Sequence, residues 1–550
     1  MKRFFALLLA LVMVLGLVAC GNTSSGSAGS AGSNETKAPQ ELNDGKNEAV
    51  AMDTAAGSVT VAVDDDSFTI GPWGSASAVR DWTETILWTH LAYRPFIGAS
   101  LAAGEVELVA AKEVTKVDDT TYDVEIHDNI TDNAGNKITA SDVVFSYDTL
   151  ASLAYVSEIS LYYASSEVTG DYTLRIHLKD DTEGAIEEVL GRCSIASQAW
   201  YESASQDEIE GNPATTGPYY VSAIDTGASL TMQARDNYWK AENPATVELQ
   251  NVSQIKLRCI TEPSMRTIAI ENGEVDMAEI SATDVTRFRD NGKYNVTDYQ
   301  NAMSQYLIFN TSENSPCQDE NVRKAIAYAI DALQVAMGGG SDAVILSHDV
   351  APNLGPDYVQ DWDNQDYFTR DLDKAKEYLE AAGYAPGQLE ITLLNSAQAP
   401  QGPYVAMQAL LAEAGITMNI RAEDRGTRPA VQVDPTAWDI AEYSDVVSDF
   451  TTHFWSNLFS EENYPEYGTQ GFTDDDPQLQ ALLKAAIADR SEANMNAFHD
   501  YVVEHCYMIG LYTEIRSIVT QEGLTDICLQ KLNPVLNAMS FTSDYTTVDK

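Results

Sequence analysis

Between Tyr404 and Ile420 a helix-spaced run, Tyr404 to Ala414, ends at Gly415 and passes directly into the alternating Ile416, Met418 and Ile420. Helix, glycine, strand is the unit of an α/β layer, because each element buries one apolar face against the other. The helical period also runs through Val322, Ile326, Ile330 and Leu333, predicting one helix there. It returns at Leu372, Ala375, Leu379 and Ala382, where Asp371 is placed to cap the start and Gly383 the end. Earlier in the chain the period changes to two. Val59 to Val63, Tyr122-Val124-Ile126, Tyr172-Leu174-Ile176-Leu178 and Ile255-Leu257-Cys259 predict half-buried strands. Residues 60 to 260 are therefore expected to be strand-dominated and the later half α/β, with no internal repeat relating them.

At 550 residues the chain exceeds one ordinary hydrophobic core, and about 100 to 200 residues per domain predicts two to four domains. Its 83 acidic against 33 basic side chains give a formal net charge of -50. Such a surface does not neutralise phosphates, so nucleic acid is not an expected partner. Gly-x-Ser-x-Gly, His-Glu-x-x-His, Cys-x-x-Cys and Walker-type signatures are all missing, and the seven His are scattered. Catalysis, a resident metal and a cofactor are accordingly not expected.

Lys2 and Arg3 precede a short apolar run, Phe4 to Val18, as in an export signal. The run is shorter than the roughly 20 residues that span a bilayer. It ends in Leu17-Val18-Ala19-Cys20-Gly21, which resembles the bacterial lipobox. That resemblance implies removal of residues 1–19 and lipidation of Cys20, placing the protein outside the cytoplasm on the cell membrane. Buried acyl chains contribute roughly 0.8 kcal/mol per methylene, which holds a protein at a membrane without a spanning helix. Residues 20–57, rich in Ser, Gly and Ala and then polar, read as a flexible tether. The five other cysteines, Cys193, Cys259, Cys317, Cys506 and Cys528, are odd in number and irregularly spaced, so no disulfide framework can be read from them.

The segment Tyr122 to Tyr147, ending Thr139-Ala140-Ser141-Asp142-Val143-Val144-Phe145-Ser146-Tyr147, resembles a strand, loop and helix signature of the solute-binding proteins of oligopeptide and dipeptide ABC importers, family 5. Asn212 to Tyr219 with its Gly-Pro-Tyr turn, Arg235-Asp236-Asn237-Tyr238-Trp239, Glu271 to Asp276, Asn321 to Asp331 and Ala381 to Tyr384 follow in the family's order. Thr139 or Ser141 caps the helix whose Val143, Val144 and Tyr147 face a core, so that motif is structural. The resemblance implies an α/β, two-lobed periplasmic-binding-protein-like fold (type II, cluster C) with an additional strand-rich domain inserted in the first lobe. The implied limits are 58–95, 216–302 and 517–550 for lobe I, 96–215 for the insert and 303–516 for lobe II.

The resemblance further implies a monomer that captures a peptide by lobe closure and delivers it to ABC permease subunits. In peptide-binding members an Asp of the second lobe meets the ligand's α-amino group, and Asp449 is the candidate here. A loop along the ligand falls at Phe68 to Ser77, making Phe68, Trp73, Ser75 and Arg80 candidates. Trp73 is placed either to stack on an apolar ligand group or to pack in the core, and Arg80 to meet a carboxylate or a structural acid. Tyr404, Tyr443 and Trp455 are the remaining candidate lining residues. A nickel complex, with His453 four residues after Asp449, a sugar or another small solute are alternative ligands, and a surface sensor is an alternative role.

Overall fold

A computed structural model of the protein describes residues 42–43, 56–66, 68, 70–73, 78–93, 106–153, 159–182, 184–242, 244–289, 291–340, 344–346, 350–351, 357–365, 367–397, 399–424, 426–446, 450–461, 476–525, 527, 529–530 and 533–542. Cys20 and the leader lie outside them. In chain order the principal strands are β1 (Ala56–Val63), β2 (Ala111–Asp118), β3 (Thr121–Ile126), β4 (Tyr163–Gly170), β5 (Thr173–Leu178), β6 (Tyr219–Asp225) and β7 (Ser229–Ala234). There follow β8 (Val252–Cys259), β9 (Met277–Ile280), β10 (Tyr294–Phe309), β11 (Leu389–Ser396), β12 (Ile416–Glu423), β13 (Ile440–Val446) and β14 (Met508–Gln521).

The alternation read in the sequence becomes a four-stranded antiparallel sheet of order β2-β3-β5-β4. In β5 every second residue, Leu174, Ile176 and Leu178, is buried, as period two requires. Its apolar face joins the same core as Val59, Val61, Ile255 and Leu257 of β1 and β8, so the strand-rich part and the first lobe share one interior. The helix Ala140–Ser152 lies beside it, and its entry is fixed by Asp142, whose carboxylate accepts from the Thr139 N–H at 2.8 Å. Val143 and Tyr147 are fully buried on its inner face.

A larger sheet runs through both lobes in the order β12-β11-β13-β10-β14-β9-β1-β8-β7-β6. Two of its strands are long enough to belong to both. The first half of β10 pairs with β14 from Tyr294↔Gln521 to Gln300↔Ile515, and the second half from Ser304↔Thr513 to Ile308↔Met508. Between them three residues of β10 lie opposite one of β14, an irregularity that bends the pair where one lobe passes into the other. Beyond that bend β13 pairs with β10 and the second lobe begins. Its sheet is covered on one face by the cluster of Val322, Ile326 and Leu411 and on the other by that of Trp362, Trp455 and Phe498.

The predicted helix after Asp371 is present as Leu372–Ala381, with the Asp371 carboxylate accepting from Asp373 and Lys374 N–H and Gly383 at φ +85° just beyond it. The single helix expected through Val322 and Leu333 is instead two, Glu320–Ala329 and Ala332–Gly338. Ile330 is extended, and Asp331 caps the second helix by accepting from Gln334 N–H at 3.0 Å. The apolar period continues across the break because both helices lie on the same core, so periodicity alone does not reveal it.

Candidate functional site

Strand direction locates the site before any side chain does. In the first lobe β1, β8 and β9 are parallel, and β9 runs from Met277, opposite Thr520, towards Ile280, opposite Ser517, which is the end nearer the bend. In the second lobe β11, β12 and β13 are parallel, and β13 runs from Ile440, opposite Phe309, to Val446, opposite Met303. The carboxyl ends of both sets therefore converge on the crossing of β10 and β14. Open α/β sheets bind ligands outside the carboxyl ends of their strands, and here two such edges share one cleft.

The floor of this cleft is polar. The Arg516 guanidinium on β14 lies 3.4 Å from Glu279 Oε1 of β9 and 3.7 Å from Glu514 Oε2. Tyr299 O–H of β10 donates to Glu279 Oε2 at 2.9 Å, and the Ser304 and Thr513 hydroxyls meet at 2.7 Å. Burial opposes the Arg516 charge, but Glu279 outweighs it, with Tyr299 and Glu514, and the group is held above its ordinary range. Burial and the same Glu279 carboxylate push the Tyr299 phenol up.

On the second lobe the loop after β11 is closed by Gln401, whose amide donates to the carbonyls of Ser396 (3.0 Å) and Ala399 (2.8 Å). It leads into the helix Gly402–Glu413, whose first residue meets the end of the helix Ala332–Gly338 backbone to backbone. A Cβ on Gly402 would lie 1.8 Å from the Gly338 carbonyl oxygen, so only glycine allows this approach. It brings Tyr404 over Glu442 of β13, where Arg428 Nη2 donates to the Glu442 carbonyl at 2.6 Å and lies 3.6 Å from its carboxylate.

Burial pushes the Glu442 carboxyl up, against the lowering influence of Arg428, Tyr404 and Ser444. A carboxyl raised in the folded state favours folding below the ordinary glutamate range, and that contribution is lost as pH rises through the folded value. Glu442→Gln is therefore expected to unfold at a higher temperature than the parent at pH 7, the difference disappearing below about pH 4. Thermal unfolding at the two pH values checks it, and an equal gain at both would contradict a titrating origin.

The candidate residues fall into three groups. Phe68 is 7% and Trp73 6% exposed, and the Trp73 indole N–H donates to the Ser194 carbonyl while its ring packs against Tyr201 (4.8 Å) and Phe145 (5.8 Å). Trp455 is fully buried, donating to the Val350 carbonyl and packed on Phe498 at 4.6 Å. These three are held in the core. Tyr404, 5% exposed, is likewise part of the second lobe's core near the start of the helix after β11, and Tyr443 lies midway along β13, half-buried 6.0 Å from Phe454. Ser75, Asp449 and the Arg80 side chain lie outside the described residues.

The described residues on either side, Val446 and Phe450 onward, are well held. Val446 ends β13, and the helix Thr451–Phe459 starts immediately after Phe450. The Asp357 carboxylate accepts from Thr451 N–H (2.6 Å) and Thr452 N–H (3.1 Å), satisfying two groups at that helix end. Glu279, Arg516, Arg428 and Glu442 were not signalled by the sequence. Glu279 and Arg516 are separated by 237 residues, and no local spacing relates them.

Comparison with known proteins agrees with the geometry. The family model for bacterial extracellular solute-binding proteins, family 5 Middle, matches residues 105–465. The nickel-binding protein NikA of Staphylococcus aureus is 22% identical over 349 residues, 62% of this chain and 66% of that protein. The oligopeptide-binding protein AppA of Bacillus subtilis is 26% identical over 294 residues, 51% of this chain and 52% of that protein. The matched stretches thus span half to two thirds of these curated relatives. The structure of AppA from Bacillus subtilis in complex with a nonapeptide superposes with a TM-score of 0.72 at 17% identity, covering 89% of this chain and all of that one.

Proposed function

Since this chain belongs to the bacterial extracellular solute-binding proteins, family 5, we propose that it captures a peptide between its two lobes and delivers it unchanged to the permease of an ABC importer. The observation that carries this reading is the convergence of two sets of strand carboxyl ends on one bend. A ligand held there touches both lobes, and closing around it removes water and strengthens each polar contact. Capture needs no reacting group. Backbone pairing with an extended peptide gives breadth over sequence, while one charged anchor sets the register.

Asp449 is that anchor in this reading. In sequence it falls between the carboxyl end of β13 and a helix whose first N–H groups are held by Asp357. A charge-assisted contact between its carboxylate and a peptide amine stabilises the complex by roughly 1.5 to 3 kcal/mol. Cys20 in this reading carries the lipid that keeps the protein beside its permease. No helix among the described residues is long and apolar enough to cross a membrane.

The test is thermal unfolding of the purified protein against di- to hexapeptides, sugars and nickel with and without L-histidine. Binding to the native state alone raises the midpoint with ligand concentration. The expected result is a peptide-dependent rise that Asp449→Ala reduces by about tenfold or more in affinity. A rise with nickel or sugar alone would refute the peptide assignment, and release of cleaved products would refute capture without chemistry.

A further inference from the structure

Beside the crossing strands, a contact between side chains also joins the lobes. Tyr162 ends the short helix Ile159–Tyr162, and Gly184 precedes the helix Ala185–Gly191. Ile159, Tyr162, Ala185 and Val189 all belong to the core of the first lobe. Facing them are Phe450 and His453 at the start of the helix Thr451–Phe459, whose Phe454 and Trp455 belong to the core of the second lobe. The Tyr162 hydroxyl is hydrogen-bonded to His453 Nε2, and the two rings are 4.9 Å apart. Gly184, at φ +78°, lies so close to the Phe450 ring that a Cβ there would be 2.4 Å from Cε2 and 2.5 Å from Cζ. Phe450 is in turn covered on its other side by the Arg490 guanidinium, 3.8 Å from the ring centre.

We propose that Tyr162 and Gly184 of the first lobe and Phe450 and His453 of the second form a clasp that holds the closed form, with Gly184 kept small so that the Phe450 ring can seat. These four are positioning residues. The elements that carry them pack into separate cores, so the two halves part when the lobes open, and the clasp stabilises the closed form alone. The inference rests on the capture reading for its use, but its test contains no ligand, so failure to find a ligand and failure of the clasp are distinguishable.

The experiment compares Gly184→Ala with Gly227→Ala. Both positions have similar positive φ, +78° and +75°, so both carry the same backbone strain, but nothing lies within 4 Å of a Cβ on Gly227. Amide hydrogen exchange of the whole protein reads residues 159–163 and 450–454, and small-angle scattering reads overall dimensions. Gly184→Ala is expected to speed exchange in both segments at least tenfold and to enlarge the particle, with Gly227→Ala leaving both unchanged. In a Phe450→Leu background, which removes the two clashing carbons, Gly184→Ala is expected to have no further effect. Tyr162→Phe, which deletes only the hydroxyl, should raise exchange in the same two segments to a smaller extent and serves if Gly184→Ala does not fold. Equal behaviour of the two glycine variants, a change confined to one segment, or a Tyr162→Phe protein identical to the parent would overturn the clasp.

Discussion

Gly217→Ala is expected to cost about 3 kcal/mol or more, a large part of the 5 to 15 kcal/mol that holds a typical domain folded. Gly217 lies in the Gly-Pro-Tyr turn entering β6, and its N–H donates to the Leu87 carbonyl at 2.8 Å. A Cβ there would be 2.5 Å from the Ile86 carbonyl oxygen and 2.6 Å from the Leu87 carbonyl carbon. Both are backbone atoms at the end of the helix Ala78–Leu87, so no side chain can turn aside to make room. Relief requires the turn to withdraw, which breaks the Gly217 bond and the seat of the fully buried Tyr219 beside it. Gly211→Ala, where nothing lies within 4 Å of a Cβ, provides the control and should leave the urea midpoint within about 0.5 kcal/mol of the parent. Equal midpoints for the two variants would show that the turn yields without cost.

Arg235→Met is expected to destabilise the first lobe by about 3 kcal/mol. The Arg235 side chain is 4% exposed and is held by carbonyl oxygens, of Thr131 (3.1 Å), Gly217 (3.1 Å) and Asp132 (3.0 Å). Burial lowers its tendency to carry charge, opposed by Tyr238 and Asp132. Methionine fills the stem's space but donates nothing, leaving those carbonyls without their partner, each at about 1 to 3 kcal/mol where water does not replace it. A shift in the urea midpoint with unchanged slope checks the effect, and a loss under 1 kcal/mol would mean that water takes over the bonds. The two substitutions share the Gly217 carbonyl, so their costs should not add.

These two predictions also explain what the motifs are for. The segment Tyr122 to Tyr147, the Gly-Pro-Tyr turn and the Arg-Asp-Asn-Tyr-Trp run are distant in sequence, and one guanidinium ties all three together. Arg323, in the Asn321 to Asp331 segment, plays the same part in the second lobe, donating to the carbonyls of Cys317 (2.9 Å) and Cys506 (3.0 Å). The residues that carry the family resemblance are thus largely scaffold. They make the fold recognisable without saying what the cleft holds.

Local chemistry was legible wherever it depends on neighbours along the chain. Period-two burial in β3 and β5, the Asp371 cap, the Gly383 and Gly415 stops and the Thr139 entry all follow from a few adjacent residues, whose geometry the backbone constrains directly. The break at Ile330 was not legible, because both helices bury the same apolar stripe. Among the aromatic candidates, Trp73 and Trp455 show the limit of composition as a guide. An indole satisfies a core and a ligand equally well, and the choice was made by carbonyls 121 and 105 residues away, at Ser194 and Val350.

The sequence by itself determined the α/β class, the strand-dominated first half and the family, since each rests on local periodicity or on short motifs. Only the tertiary structure decided that β10 and β14 cross between lobes, that strand ends from both converge on the crossing, and that Glu279 meets Arg516 and Gly184 meets Phe450 there and beside it. The physical reason is separation along the chain. These pairings are 209 to 291 residues apart, as for Ser304 with Thr513 and Tyr162 with His453. No dihedral preference or hydrophobic period reaches that far, so their geometry exists only once both lobes have packed.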